Sequence, residues 1–168
     1  MQRQAAFYFK DKGNEHFKAG DFQKAIGVYN KSLLYIRAIL PTDNSEVSSF
    51  QQMSSTMQEK LVKDEGQKSE LKDLHATCLL NQAQCFFKMQ KFEKCIEKAT
   101  LSFELKPQVK TLFRRAKGYE GLKNFEKAIE DYYACMKLDP SDQNDIQKEL
   151  HKAKATMKKA DAQNEKRL

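Results

Sequence analysis

GNEHFKAGDFQKAIGVY, residues 13–29, returns as AQCFFKMQKFEKCIEKA at 83–99 and as AKGYEGLKNFEKAIEDY at 116–132. In each copy a small residue (Gly13, Ala83, Ala116) precedes an aromatic by three or four positions. Phe22, Phe92 or Phe125 follows, then Ala25, Cys95 or Ala128, then Tyr29, Ala99 or Tyr132. The second and third copies lie 33 residues apart and close on FELKP and MKLDP, ending at Pro107 and Pro140. Small residues where helices cross, repeated at this period, predict stacked helical hairpins whose neighbours bury one another's apolar faces.

Working outward, the first hairpin runs over about 4–40. Its first helix is expected to bury Phe9, Gly13 and Phe17. Ala19-Gly20-Asp21 makes the turn, with Asp21 as N-cap. The second helix carries Ala25, Ile26, Tyr29, Leu33 and Ile36 inward and is longer than its counterparts, because no proline follows before Pro41. Residues 41–70 interrupt the repeat. Within them Phe50, Met53, Met57 and Leu61 keep helical spacing, and disorder is expected around Asp64 to Ser69. The second hairpin spans about 71–107 and the third about 108–140, each stopped by a proline that cannot continue a helix. A capping helix over about 141–166, with Ser141 or Asp142 at its start, aligns Ile146, Leu150, Ala153, Met157 and Ala160 in one stripe. An apolar inner side and a lysine-rich outer side suit the end of a helical array. The expectation is an all-α chain of 168 residues forming a single domain.

Composition narrows the function. The charge is +7, with 32% charged and 40% hydrophobic residues. A basic balance suits an acidic partner. No apolar run approaches the roughly 20 residues that span a bilayer. Neither a signal peptide nor a lipidation motif is read at the termini, and a cytoplasmic location, with the nucleus as a second compartment, is expected. The four cysteines form no CxxC pair and fall on or near apolar stripes, so they read as small core residues in a reducing compartment. The three histidines are scattered and pair with no cysteine at ligand spacing, so no metal or other cofactor is expected. Nucleophile, base and orienter do not assemble in the sequence, and there is no glycine-rich phosphate loop, so no enzyme is expected.

The repeated pattern and its LKP and LDP closings resemble the tetratricopeptide repeat (TPR) family. The resemblance covers nearly all of the chain except 41–70. It implies three antiparallel helix pairs in a right-handed superhelical solenoid, whose first helices line a concave groove. On those helices stand Lys10-Asp-Lys-Gly-Asn14, then Leu-Leu-Asn81, then Lys110-Thr-Leu-Phe-Arg114. Asn81 and Arg114 each stand two residues before the small residue of their repeat, so they are equivalent positions.

This set is similar to the carboxylate clamp of co-chaperone TPR domains, read there as K-x-x-x-N, then N, then K-x-x-x-R. By that resemblance Lys10, Asn14, Asn81, Lys110 and Arg114 would hold the C-terminal EEVD tail of heat-shock protein 90 or heat-shock protein 70. Phe17 and Phe113 would line apolar sub-pockets, with core packing as their other reading. Arg115 faces elsewhere on its helix. The stretch LFRRAKGYEGLKNFEKAIEDYYACMKLDP resembles the third repeat of large immunophilins of the cyclophilin or FK506-binding protein type, without an isomerase domain. A monomer without nucleic-acid or membrane partners is expected. Two alternatives stay open: a TPR scaffold for another acidic peptide or protein, and nucleic-acid binding through the basic final helix (Lys148, Lys152, Lys154, Lys158, Lys159).

Overall fold

Each hairpin turns at the same place, two residues before its landmark phenylalanine. Gly20, Gln90 and Lys123 occupy equivalent positions there, and all three are left-handed, with φ of 81°, 58° and 59°. In each turn the last carbonyls of the incoming helix accept from the turn amides, as when Asp21, Lys91 and Asn124 donate to His16, Phe86 and Tyr119. The helix ends are thereby satisfied without side-chain help.

The computed structural model describes residues 1–40, 64–141 and 144–165. Seven helices carry them: α1 (Gln2–Lys18), α2 (Phe22–Ile39), α3 (Glu65–Lys88), α4 (Phe92–Leu105), α5 (Val109–Gly121), α6 (Phe125–Leu138) and α7 (Asn144–Glu165). No strand occurs among the described residues. At 18 residues, α2 outruns the 14 of α4 and of α6. The latter two stop because the residue before a proline is pushed out of helical geometry. Lys106 and Asp139 are both extended, at φ −150° and −137°.

The chain divides into two compact units, Met1–Gln82 and Ala83–Leu168. In unit 1, α1 and α2 pair. The five α2 residues assigned inward are all buried, with Tyr29 and Ile36 at most 1% exposed. Small groups let the helices close. The Ser32 hydroxyl donates to the Ala6 carbonyl at 2.7 Å, and the Cys78 thiol of α3 reaches the Ser32 oxygen at 3.4 Å. On α1 the buried residues are Ala6 and Gly13. Phe9 and Phe17, expected to be buried, are only half-buried, and each meets an aromatic of α2. Phe9 stacks on Tyr35 with centroids 5.5 Å apart, and Phe17 meets Phe22 at 5.4 Å.

In unit 2, one core joins α5, α6 and α7 through Leu112, Ala116, Ala128, Tyr132, Cys135, Ile146, Leu150 and Ala153. Ile146, Leu150 and Ala153 of the expected α7 stripe therefore face inward, whereas Met157 and Ala160 are half-buried and line a cleft with Leu122 and Phe125. Lys117 ties α5 to α7 by a 2.7 Å bond to Glu149. All four cysteines are buried and free. Burial pushes the Cys78, Cys85 and Cys95 thiols up to about 11 and that of Cys135 to about 12, which keeps them neutral.

Four expectations need correction or fall outside the described residues. Helix α3 begins at Glu65, so the stretch from Glu65 to Ser69 is helical rather than disordered. Asp64 accepts from the Gly66 amide at 3.1 Å, Glu65 pairs with Lys68 at 2.7 Å, and Glu70 bonds to Arg3 of α1. Asp21 precedes α2 but makes no side-chain cap bond. Its carboxylate lies 3.5 Å from Lys24 instead, and it is Asn124 that caps, accepting from the Lys127 amide at 3.2 Å. Ser141 donates to Asp139 at 2.9 Å from its amide, whereas the proposed cap Asp142 and the helical spacing of Phe50 to Leu61 lie outside the described residues.

Candidate functional site

In unit 1, Lys10 and Asn14 follow one another by a turn on α1, and Asn81 stands on α3. The fold brings the two asparagines together across 67 positions, the Asn81 amide donating to Asn14 Oδ1 at 3.0 Å. The same oxygen accepts the Tyr29 hydroxyl at 2.7 Å. Both lone pairs of that carbonyl are thus engaged, and Asn14 presents only its amide N–H groups. Lys10 keeps 23% of its side chain exposed and pairs with the neighbouring Asp11 at 2.5 Å.

The residue after Asn81 was not singled out by sequence reasoning. Gln82 is 1% exposed and donates to Asn30 of α2 at 2.7 Å. Adjacent amides of α3 therefore reach both helices of the first hairpin. The signal was a polar residue four positions beyond Cys78 on an apolar stripe. Tyr29 had been read only as an inward-facing ring, since periodicity says nothing about where a hydroxyl ends.

In unit 2, Lys110 and Arg114 lie one turn apart on α5. Lys110 is exposed. It borders a shallow cleft of about 570 Å³ with Pro107, Gln108, Val109, Leu138 and Asp139. Arg114 is half-buried, and burial lowers its pKa. Its Nε is buried without a hydrogen-bond partner among the described residues. Arg115 turns away from it and grips the buried Asp131 of α6. Phe113 meets Tyr132 at 5.7 Å and packs on the core of unit 2, as Phe17 packs on Phe22 in unit 1, so both rings hold their hairpins closed.

Chemically, these side chains can hold anions and hydrogen-bond acceptors. In unit 1, amide donors point from a fixed Asn14 and Lys10 supplies a point charge; in unit 2, Lys110 supplies a point charge and Arg114 a forked donor. Among the described residues no three His, Cys, Asp or Glu groups converge to hold a metal ion, and no helix is long and apolar enough to cross a membrane.

Residues 109–142 match the tetratricopeptide repeat family model. The fold is that of a TPR domain. The mitochondrial import receptor subunit TOM70 of Rattus norvegicus is 31% identical over 132 residues, or 77% of this chain. The chain spans only 16% of the length of that receptor. Among solved structures, the Hsp90 co-chaperone Cns1 from Saccharomyces cerevisiae aligns with 99% of this TPR domain and 44% of its own chain, at a TM-score of 0.73 and 21% identity. The C-terminal TPR-containing domain of a Plasmodium falciparum protein assigned as FK506-binding reaches 0.67 at 24% identity, covering 96% and 93% of the two chains. The first TPR of Spaghetti (RPAP3), bound to the HSP90 peptide SRMEEVD, reaches 0.65 at 22% identity, covering 92% and 94%. At these identities the likeness is one of fold.

Proposed function

We propose that this TPR domain is a non-enzymatic module that binds the acidic C-terminal EEVD tail of heat-shock protein 90 or heat-shock protein 70 through a carboxylate clamp. The observation that carries the reading is the bond between Asn14 and Asn81, with the shared oxygen turned inward and the Asn14 N–H groups left to donate. A C-terminal aspartate carries two carboxylates on one residue, and amide donors with nearby cations suit it. Lys10 would supply charge beside the asparagines. By the sequence pattern, Lys110 and Arg114 belong to the same set, the guanidinium serving carboxylate or backbone carbonyl oxygens. Charge-assisted hydrogen bonds contribute roughly 1.5–3 kcal/mol each. Several of them, less the cost of ordering an extended peptide, lead to about micromolar affinity.

The TPR structures that resemble this chain support the reading, since one holds an HSP90 peptide and Cns1 is an Hsp90 co-chaperone. Kinship with the C-terminal domains of large immunophilins is the narrower form of the proposal. It is supported by the third-repeat stretch and by the fold of the FK506-binding protein domain.

Fluorescence anisotropy with a labelled peptide ending in MEEVD tests the clamp. Binding near micromolar is expected, with a loss of at least tenfold on Asn14→Ala or Arg114→Ala. Equal affinity for the same peptide with an amidated C-terminus would sink it.

A further inference from the structure

We infer that Tyr29 is a positioning residue for the candidate site, holding the Asn14 amide so that only its N–H groups face a ligand carboxylate. The inference rests on the carboxylate-clamp reading and adds to it a residue that touches no ligand.

Tyr29 is 1% exposed, and its ring lies against α1 where Gly13 leaves room. A Cβ at position 13 would stand 2.4 Å from Tyr29 Cε1 and 2.5 Å from Cδ1. The absent side chain lets the ring approach the α1 backbone, and the hydroxyl then ends beside the next residue, Asn14, at 2.7 Å from Oδ1. Asn81 supplies the second donor to that oxygen at 3.0 Å. An asparagine amide is close to symmetric in shape, so little besides its hydrogen bonds decides which end faces outward. A hydroxyl can donate or accept, so the Asn81 N–H sets the sense of the amide: inversion would bring Nδ2 against that donor and turn the oxygen toward an incoming carboxylate. That orientation is disfavoured by a donor–donor clash inside and by an acceptor set against the anion outside. Asn81 therefore sets the orientation, and the buried Tyr29 hydroxyl anchors the amide in it, so that the two act together as a lock. Gly13, Asn14, Tyr29 and Asn81 all belong to unit 1, so the lock is built within one compact body.

Two measurements on the full chain test this. The first is ligand-free: NMR relaxation of the Asn14 side-chain amide in the wild type and in Tyr29→Phe, which keeps the ring and removes the hydroxyl. An ordered amide that becomes mobile in the variant is expected, and an amide equally ordered in both overturns the lock. The second is a titration with MEEVD-ending peptides bearing a free or an amidated C-terminus. Loss of one hydrogen bond corresponds to about a five- to tenfold weakening for the free acid. The amidated peptide should change little, and Tyr29→Phe should add nothing in an Asn14→Ala background. A purely structural role would instead weaken both peptides alike and persist in that background, which overturns the inference. Should Tyr29→Phe not fold, Asn14→Asp keeps both inner bonds but cannot donate outward. It is expected to lose the free-acid peptide while melting near the wild-type temperature, and retained affinity overturns the lock. A wild-type chain that binds neither peptide defeats the clamp reading, and the ligand-free measurement then judges Tyr29 by itself.

Discussion

Arg115 of α5 holds Asp131 of α6 with two parallel bonds, Nε to Oδ2 at 2.8 Å and Nη2 to Oδ1 at 2.7 Å. The Asp131 side chain is 8% exposed, so the pair is largely desolvated on the carboxylate side. Arg115 also stands 5.8 Å over the Phe103 ring and 3.4 Å from the Thr100 hydroxyl of α4, which makes it a tie among three helices. Its neighbour Arg114 has no such partner for Nε among the described residues. Two adjacent arginines are therefore expected to have separable jobs. Arg115→Ala strands a buried carboxylate and is expected to cost about 3 kcal/mol, a fall in melting temperature on the order of 10 °C. Arg114→Ala is expected to leave the melting temperature within a few degrees while weakening MEEVD-peptide binding at least tenfold. Thermal denaturation followed by circular dichroism, paired with the peptide titration, checks both, and the reverse pattern would refute the assignment.

The left-handed turn residues make a second prediction. Gly20 adopts its φ without penalty, whereas Gln90 and Lys123 hold theirs at a cost of roughly 1 kcal/mol for a residue with a Cβ. Replacing either by glycine should raise stability by about 0.5–1 kcal/mol. Gly20→Ala should lower it by a similar amount. A Cβ at position 20 meets nothing within 4 Å, so that loss is conformational rather than steric. Chemical denaturation of the three variants reads the difference.

Much of this was legible because the repeat registers the hairpins. Phe22, Phe92 and Phe125 mark each second helix at its first residue, and Pro107 and Pro140 mark where α4 and α6 stop. The start of α3 was hidden, since EGQKSE has no apolar stripe before Leu71. What holds it is local capping and a contact from Arg3, which no window around residue 65 contains. The candidate site divides in the same way. The four-residue spacing of Lys10 and Asn14 is visible in the chain, as is the repeat offset shared by Asn81 and Arg114. The bond between Asn14 and Asn81, the hydroxyl that completes it and the buried Gln82 arise from α3 packing on the first hairpin. Such contacts depend on side-chain reach rather than on periodicity.

Acid should weaken unit 1 through His75. Burial lowers the His75 pKa below its ordinary 6.5, and the nearby Arg37 adds to the effect. The unfolded chain then binds the proton more readily than the folded one. Stability from this group is full above about pH 6.5 and is lost as pH falls toward the depressed folded value. Melting temperatures between pH 7.5 and 5 should decline, and His75→Gln should flatten that decline. An unchanged slope in the variant would remove His75 from the account.

One substitution made at two glycines should act in opposite directions. Gly27 lies on the exposed face of α2, where an added Cβ meets nothing within 4 Å. Alanine there removes a helix-interior glycine and should stabilise by about 0.5–1 kcal/mol. At Gly13 the same methyl group collides with the Tyr29 ring at 2.4 Å, and the ring is buried against its neighbours with little freedom to move. Overpacking of that kind typically costs about 1–3 kcal/mol. Because the displaced ring carries the hydroxyl that orients Asn14, Gly13→Ala should also weaken the free-acid peptide beyond what its lost stability explains. That excess is read by titrating at a temperature where both variants are fully folded. If Gly13→Ala melts lower but binds as the wild type does, the ring's close approach serves packing alone.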